Sequence, residues 1–370
     1  MGEASTAKME DIVAAVFPTS KPTKAPLIQK QSNSIFHRLF YFLVMITLRI
    51  VSSIFLYLTR TRYIQSVLPK QPFHSTSGAP TLQKVYSIRP SLAHRIFVPS
   101  NYQADEALVS APLPVYIDIH GGGYAFCDAA FDDEFCYGFS NANRMLVISI
   151  SYRKAPFHRF PTQINDLVAV IQELCDDVSL PIDRSRIVIG GASAGGNLAL
   201  AVAQMMQTIH PGLIKAVLAL YPVCDYTKTV EAQLASRPKD SGSDPLTAIM
   251  NLCAWGYIPQ GQDLRDPLVS VALARKEELP PRIFLIGCEL DLMCSDVEKM
   301  AEKLGSEGPG ERSGTELCWQ QNGVRWEKIL DHRHGFDQFP ASGERGYIAR
   351  RRGRKLRDDM ASWIFREVFV

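Results

Sequence analysis

The stretch that decides the fold is Ile187-Val-Ile-Gly-Gly-Ala-Ser-Ala-Gly-Gly-Asn197. A β-branched apolar run ends there at a glycine pair, and a helix-forming run, Leu198–Met206, follows. Within the stretch, Gly191-Ala-Ser-Ala-Gly195 has the spacing G-x-S-x-G, in which a serine occupies a tight turn between a strand and a helix. Such a turn needs neighbours without bulky side chains, because other segments pass close to it. Taken alone, the pentapeptide is also compatible with a glycine-rich turn that merely joins the two elements.

Composition places the chain among ordinary globular proteins. Its 370 residues allow one large domain or two smaller ones, and 46% of them are hydrophobic, enough for a sizeable core. The net charge of +2 gives no reason to expect a nucleic acid or another polyanion as partner. The eight cysteines are scattered without the spacing of a metal site. We therefore expect no metal, and most of the thiols should be reduced and buried.

The N-terminal region divides into two parts. Residues 1–34 are polar and predict a flexible tail. Within the following segment, 35–75, the twenty residues Leu39–Leu58 carry one charge, Arg49, and match the apolar width of a bilayer. The segment is therefore either a membrane anchor or a cap helix lying over the domain formed by residues 76–370. Basic residues flank both ends, so the sequence does not indicate an orientation.

Buried-strand candidates alternate with helical stretches along residues 76–370. This alternation predicts an α/β fold with a mostly parallel sheet covered by helices on both faces. Residues 226–265 interrupt the rhythm and predict either a lid over the site or a surface excursion without function. Gly305–Gly323 is rich in Gly, Ser and Glu and predicts a mobile loop. The main strand candidates are Leu113–Ile119, Met145–Ile150, Arg186–Ile189, Lys215–Tyr221, Arg282–Ile286 and Val324–Leu330.

A second glycine-rich motif, His120-Gly-Gly-Gly123, follows the first of these strands directly. Consecutive glycines let the backbone pass close to a ligand and turn its N–H groups towards it. An oxyanion hole needs such donors, aimed at the place where negative charge develops. An ordinary glycine turn is the alternative. The presence of H-G-G-G upstream of G-x-S-x-G favours the interpretation that the two motifs belong to one active site.

Two later segments supply an acid and a base. Asp291 lies just after the strand candidate Arg282–Ile286, and His334 lies just after the last one. The chain order Ser, Asp, His is the order of the α/β-hydrolases and differs from that of two protease classes. The sequence thus offers Ser193 a base and an acid.

These motifs resemble the hormone-sensitive-lipase-like branch of the α/β-hydrolases (alpha/beta hydrolase fold-3), which includes the arylacetamide deacetylases. The resemblance covers about residues 85–340. It implies an α/β-hydrolase fold with a cap or lid. The motifs that carry it are His120-Gly-Gly-Gly123, Tyr152-Arg-Lys-Ala-Pro156 with Phe160-Pro161, Gly191-Ala-Ser-Ala-Gly-Gly-Asn197, Tyr221-Pro222 with Asp225, Asp266-Pro-Leu-Val-Ser270, Glu289-Leu-Asp291 and His334-Gly-Phe336.

The resemblance also implies roles for individual residues. Ser193 would be the nucleophile, His334 the general base and then acid, and Asp291 the carboxylate that orients His334. The N–H groups of three residues would form the oxyanion hole, and two further residues would support their loop. The first group is Gly122, Gly123 and Ala194, and the second is His120 and Gly121.

The chain departs from the family pattern at two points. Ala192 stands before the serine, where the family commonly has Asp. The interval from Asp291 to His334 is lengthened by residues 305–323, so Glu289 and Asp296 compete for the role of the acid. Asp331 and His332 stand close to His334, but only His334 is followed by the family's Gly-Phe.

The expected activity is hydrolysis of small-molecule carboxylic esters without a metal or an organic cofactor. Acyl transfer to an alcohol and hydrolysis of amides or formamides use the same triad and stay open. A non-enzymatic alternative is a small-molecule receptor similar to the plant gibberellin receptor, which has lost its catalytic histidine. The expected location is a membrane if Leu39–Leu58 is an anchor, and otherwise the cytoplasm.

Overall fold

The computed structural model describes residues 34–60, 78–104, 111–239, 241–244, 246–339 and 343–370. The tail predicted for residues 1–34 lies outside the described residues except for residue 34. The same holds for the part of the 35–75 segment between residues 61 and 75. The predicted lid, 226–265, is described apart from residues 240 and 245. The division of the chain into these parts stays a prediction.

One ten-stranded sheet lies at the centre of the described chain. Its strands are Leu82–Val85 (β1), Ala93–Phe97 (β2), Leu113–Ile119 (β3), Leu146–Ile150 (β4), Ile182–Ala192 (β5), Ile214–Leu220 (β6), Arg282–Cys288 (β7), Ser313–Gly314 (β8), Cys318–Gln321 (β9) and Val324–Ile329 (β10). Their order across the sheet is β1-β2-β4-β3-β5-β6-β7-β10-β9-β8. The pairs from β4 to β10 are parallel, and the outer pairs are antiparallel.

Helices cover both faces of this sheet. The helices of the described chain are Ile35–Arg60 (α1), Ser100–Ala104 (α2), Asp133–Asn143 (α3), Thr162–Asp176 (α4), Ala194–Ile209 (α5), Val230–Ala235 (α6), Thr247–Tyr257 (α7), Cys294–Ser306 (α8) and Gly343–Trp363 (α9). Successive residues of a strand point to opposite faces. Accordingly, Ile187 and Ile189 of β5 pack with α4, α5 and α8, whereas Val188 packs with α3 and α9. The predicted mostly parallel α/β sheet is confirmed.

Helix α1 packs one side against the domain. Met45 is fully buried, and the Tyr41 ring meets the Trp255 ring of α7 edge to face with centroids 5.7 Å apart. The Arg49 guanidinium reaches the Ala155 carbonyl at 3.5 Å, and Ser52 Oγ donates to the Phe126 carbonyl at 3.2 Å. By length and composition the helix is also apolar enough to cross a membrane. The structure therefore attaches α1 to the domain along one side, and membrane association stays a prediction.

The predicted lid contributes α6 and α7. The Cys253 thiol of α7 lies against Gly123 of the His120–Gly123 motif. A Cβ atom added to Gly123 would lie 2.5 Å from Cys253 Sγ. Tyr257 of α7 stacks on Tyr124 with ring centroids 3.7 Å apart, and Tyr226 donates from its hydroxyl to that of Tyr124 at 2.9 Å. The insertion thus covers the His120–Gly123 loop rather than projecting into solvent.

The prediction of a loop at Gly305–Gly323 is wrong for residues 318–321, which form a strand, whereas residues 307–312 belong to no helix or strand. Helix α8 continues to Ser306, and β8 and β9 form antiparallel pairs that extend the sheet beyond β10. Trp319 of β9 is buried and stands opposite Trp326 of β10. Burial of this ring on the sheet outweighs the loop-like composition of its neighbours, as cross-strand packing commonly outweighs local propensity.

A buried carboxylate of α4 connects this helix to two other segments of the chain. The Asp166 side chain is fully buried, and it forms ion pairs with Arg89, which precedes β2, and Arg153, which follows β4. It also accepts a hydrogen bond from the Arg153 backbone N–H at 3.1 Å. Two arginines and a main-chain donor together offset the loss of hydration of this carboxylate.

We expect Asp166→Ala to lower the free energy of unfolding by about 3–5 kcal/mol, because it removes a fully buried carboxylate and leaves the partly buried guanidinium groups of Arg89 and Arg153 without their counter-charge. Urea denaturation measures the change. Asp176→Ala on the same helix is the control, since the Asp176–Arg184 pair is exposed and its loss should change the free energy by less than about 1 kcal/mol. Equal destabilisation by both substitutions would contradict the prediction.

Candidate active site

Ser193 lies on the turn between β5 and α5 in a conformation that non-glycine residues rarely adopt. Its φ is 58° and its ψ is −123°. A Cβ added at Gly191 or Gly195 would lie 2.4 Å or 1.9 Å from the Ile119 carbonyl oxygen. Glycine at these two positions therefore lets the end of β3 lie directly against the turn. The surrounding contacts hold the strained serine in place.

Two further contacts fix the turn. The Ser193 backbone N–H donates to the Leu220 carbonyl at 2.9 Å. The buried Asn197 amide donates to the carbonyls of Val223 and Val269, at 2.8 and 3.1 Å. The first turn of α5 is thereby bound to the chain that follows β6 and to the segment before β7. The serine is consequently held on rigid elements of the sheet.

A chain of hydrogen bonds links the three predicted residues Ser193, His334 and Asp291. His334 Nε2 lies 2.8 Å from Ser193 Oγ, and His334 Nδ1 lies 2.7 Å from Asp291 Oδ2. Because an ionised carboxylate only accepts hydrogen bonds, Nδ1 carries the proton. In the neutral ring, Nε2 is then the acceptor for the serine hydroxyl. This geometry suits transfer of the hydroxyl proton to the imidazole.

The two other candidates for the acid, Glu289 and Asp296, bind groups other than His334. Glu289 accepts a hydrogen bond from the Asp331 backbone N–H at 2.9 Å. Asp296 forms an ion pair with Lys228 and accepts from the Gln233 amide at 2.7 Å. Asp291 is buried, and its second oxygen accepts from the Met293 N–H at 3.1 Å. Of these three carboxylates, Asp291 is therefore the one that meets His334.

The neighbouring imidazole, that of His332, turns away from the serine. Its Nδ1 lies 2.6 Å from the Leu330 carbonyl oxygen, and its ring packs edge to face on Phe336. The structure therefore distinguishes the two histidines by their partners, as the Gly-Phe signature did by sequence.

The electrostatic surroundings raise the pKa of His334. Burial lowers it, but the charge of Asp291 and its hydrogen bond to the ring raise it by more. The more distant carboxylates of Asp244 and Asp337 act in the same direction. The resulting pKa of His334 lies above the ordinary histidine value of 6.5. The imidazolium form that follows proton uptake is therefore stabilised.

The loop Gly121–Gly123 lies beside the turn of Ser193. Gly122 and Gly123 have φ values of 98° and 59°, which favour glycine. Within the described residues, no protein acceptor takes a hydrogen bond from the N–H of Gly122, Gly123 or Ala194. Ala194 is also the first residue of α5, where N–H groups have no intrahelical partner. The three predicted donors thus have no protein acceptor among the described residues, as the proposed oxyanion role requires.

His120 lies buried beneath this loop. Its ring stacks on Tyr152 at 4.4 Å between centroids, and Nδ1 lies 2.8 Å from the Gly121 carbonyl oxygen. Burial lowers the pKa of His120 to about 3, so the ring stays neutral. These contacts suit a residue that shapes the glycine loop and takes no part in proton transfer.

Two contacting residues had no role assigned from sequence. Tyr221, at the end of β6, lies with its ring 4.8 Å from that of His334, and its hydroxyl donates to Asp337 at 2.6 Å. The pair thus joins the histidine loop to the sheet. The sequence carried a signal for Tyr221, which belongs to the Tyr221-Pro222 motif and ends a strand candidate, whereas for Asp337 it offered only the position three residues after His334.

The sheet order, the turn at Ser193 and the chain order of Ser, Asp and His define the α/β-hydrolase class. A family model described as alpha/beta hydrolase fold (Abhydrolase_3) matches residues 116–312, more than half of the sequence. The chain belongs to this family, and the resemblance drawn from its motifs is confirmed. Among the described residues, no group of three or more His, Cys, Asp or Glu side chains is placed to hold a metal ion.

Several characterised proteins are similar in sequence. Carboxylesterase 20 of Arabidopsis thaliana is 27% identical over 230 residues, which are 58% of this chain and 70% of that protein. Esterase LipI of Mycobacterium tuberculosis is 26% identical over 245 residues, or 65% of this chain and 73% of that protein. FAD-linked oxidoreductase pytB of Aspergillus terreus is 29% identical over 212 residues, and the chain spans only 25% of its length.

Solved structures support the fold. EstE1, a thermophilic carboxylesterase from a metagenomic library, superposes with a TM-score of 0.64 at 22% identity, covering 88% of this chain and 96% of its own. An esterase of Pyrobaculum calidifontis gives a TM-score of 0.62 at 22% identity, covering 88% and 92%. The α/β-hydrolase fold is thereby confirmed.

We expect NMR titration of the histidine rings to give His334 a pKa above 6.5, and Asp291→Asn to lower it because the substitution removes the neighbouring charge. His120 is the control within the same spectrum, since its pKa of about 3 arises from burial and should not change. An unaltered His334 pKa in the variant would show that Asp291 does not face the ring in solution.

Proposed function

We propose that the chain is a serine hydrolase of carboxylic esters in which Ser193, His334 and Asp291 form the catalytic triad. The observation that carries the proposal is the hydrogen-bonded chain from Asp291 Oδ2 through both ring nitrogens of His334 to Ser193 Oγ, with distances of 2.7 and 2.8 Å. The carboxylesterase relatives and esterase structures support a carboxylic ester hydrolase. Acyl length and alcohol are not implied by the fold.

In the first step, Ser193 Oγ attacks the carbonyl carbon of the ester while its proton moves to His334 Nε2. The carbonyl electron pair moves to the oxygen, which becomes an anion. Asp291 keeps the proton of Nδ1 in place and stabilises the imidazolium through its charge. Its burial strengthens this interaction, because little water screens it.

The N–H groups of Gly122, Gly123 and Ala194 would then bind the oxyanion. Donors fixed before substrate arrives stabilise the developing charge without reorganisation, and removing one typically costs about 10²–10³-fold in rate. The N-terminus of α5 adds the positive end of its helix dipole at the same point.

Collapse of the tetrahedral intermediate breaks the bond between the acyl carbon and the alcohol oxygen. The alcohol leaves with the proton from His334 Nε2, and an acyl group stays on Ser193. Water then gives a proton to His334 and attacks the acyl carbon, which releases the acid and restores the serine hydroxyl when Nε2 returns the proton.

We expect Ser193→Ala to reduce hydrolysis of short p-nitrophenyl esters by about 10⁴–10⁶-fold and to abolish labelling by a fluorophosphonate probe, because no other group replaces the attacking oxygen. The measurements are kcat/KM and fluorescence of the labelled protein. His332→Ala is the matched control, since it removes the imidazole that faces Leu330 and Phe336 and should leave the rate within a few-fold.

The outcomes separate the alternatives. Wild-type rates in the Ser193→Ala variant would contradict the proposal. A wild-type protein that neither turns over esters nor reacts with the probe would favour a receptor. Acyl products of an added alcohol, or faster cleavage of formamides than of esters, would move the assignment to acyl transfer or amide hydrolysis on the same triad.

We propose further that the protein associates with a membrane through α1, lying on the lipid surface with the exposed side of the helix. That side carries apolar residues with half or more of their surface exposed, and α1 contains no acidic residue. The opposite side, at Met45, Arg49 and Ser52, contacts the hydrolase domain in the middle of the apolar run. An interfacial helix with one face in lipid accounts for both sides. The exposed residues are Ile35, Phe36, Leu39, Phe40, Leu43, Ile50, Val51, Ile54 and Tyr57.

We expect the protein to float with anionic phospholipid vesicles and to be released by alkaline carbonate, because an interfacial helix is held by less buried area than a spanning one. Phe36→Asp with Phe40→Asp should abolish flotation. Tyr347→Asp with Ile348→Asp on α9 is the control, since it places the same charges on exposed residues of another helix. Resistance to carbonate would indicate a membrane-spanning helix. Absence of flotation would contradict membrane association by either a surface helix or a spanning helix.

A further inference from the structure

Residues 228–239 and 241–244 of the insertion contact the loop that carries Asp291. That loop, the acid loop, is defined here as residues 289–293 between β7 and α8. Arg237 Nε donates to the carbonyl of Leu290 at 2.9 Å. Asp244 Oδ2 accepts from the N–H of Leu292 at 3.2 Å. The backbone on both sides of Asp291 is therefore bound by side chains of the insertion.

These two side chains form a buried unit. The nearest charged atoms of Arg237 and Asp244 are 3.8 Å apart, and the side chains are only 3% and 4% exposed. Arg237 also donates to the carbonyls of Ser241 and Gly242, and Asp244 accepts from the Leu246 N–H. Buried charges are tolerated when partners satisfy them in this way, and their fixed geometry favours one arrangement of the attached backbone.

The same short stretch also reaches the histidine loop. Arg333, next to His334, donates to the carbonyls of Ser241 and Ser243. The acid loop and the histidine loop are themselves joined by a hydrogen bond from the Leu290 N–H to the His332 carbonyl at 2.9 Å. Residues 241–244 thus contact both loops whose side chains meet in the Asp291–His334 hydrogen bond.

Further contacts bind the insertion to the acid loop and to the first turn of α8, which follows it. Lys228 and Gln233 both bind Asp296 in the first turn of α8. Val230 and Met250 of the insertion pack with the buried side chains of Leu292 and Met293. Apolar packing and polar bonds hold the insertion on the same few residues, so the acid loop cannot shift without breaking several of them.

We propose that Arg237 and Asp244 are positioning residues, which hold the acid loop so that the carboxylate of Asp291 faces His334 Nδ1. This deepens and rests on the triad proposed above. The insertion then does more than cover the site, because alignment of the triad requires it to be docked. Small displacements of a catalytic group can cost about a hundredfold in rate.

The test combines NMR with kinetics. The proton on His334 Nδ1, hydrogen-bonded to Asp291, should give a resonance at low field in the wild type that is lost in Asp291→Asn. Asp244→Ala should broaden or remove this resonance and lower kcat about ten- to hundredfold, with KM changed less than about threefold. Asp244→Asn keeps an acceptor oxygen for the Leu292 N–H and should restore most of the resonance intensity and most of kcat. If Asp244→Ala proves unstable, Arg237→Lys takes its place, because it keeps the charge beside Asp244 but cannot bind the same backbone carbonyls together, and it should weaken the resonance and lower kcat in the same way.

Two comparisons make the result decisive. In the Asp291→Asn background, Asp244→Ala should change kcat by less than about twofold, because residues acting through one another are not additive. Lys239→Ala, an exposed position in the same segment, should leave the resonance and kcat unchanged. An unaltered resonance in folded Asp244→Ala, or equal losses in both backgrounds, would overturn the proposal. If Ser193→Ala stays active while the resonance responds as expected, the hydrolase assignment fails and the positioning role stands.

Discussion

Close packing of the Ile119 carbonyl against Gly191 and Gly195 is the constraint on which the candidate site depends. Strands β3 and β5 are parallel neighbours with Ile119 opposite Gly191, so their carboxyl ends bring the glycine loop and the Ser193 turn to one edge of the sheet. A side chain at either glycine would push the end of β3 away, together with the N–H groups of Gly122 and Gly123. The distance between the proposed nucleophile and the proposed oxyanion donors is thus set by the sheet before any substrate binds.

This constraint also explains what was readable from the sequence. A close backbone approach can be met by almost no residue other than glycine, so it leaves its mark in residue type, and the buried parallel strands leave theirs as apolar runs. The acid is harder to assign from sequence, because Glu289, Asp291 and Asp296 all carry a carboxylate and lie within eight residues. Only three-dimensional partners separate them: a backbone N–H for Glu289, two side chains of the insertion for Asp296, and His334 for Asp291.

Two elements depend on contacts that no local pattern encodes. The strands β8 and β9 lie in a Gly- and Ser-rich stretch, and it is the burial of Trp319 against the rest of the sheet that orders them. Helix α1 has the length and composition of a membrane span, yet those properties are shared by a helix that lies on a domain. Which side faces the protein is decided by Met45, Arg49 and Ser52, whose partners are distant in sequence.

The insertion between β6 and β7 meets the candidate site at two separate places. Through Cys253 it lies against Gly123 of the glycine loop, and through Arg237 and Asp244 it holds the backbone around Asp291. Helix α1 packs in turn on α7 of the same insertion. The groups proposed to do the chemistry therefore stand at strand ends of the sheet, whereas the groups that cover and align them come from added segments. Because the sheet fixes the reacting atoms, such added segments can differ in shape and surface without changing the chemistry, provided that they keep their contacts to the loops.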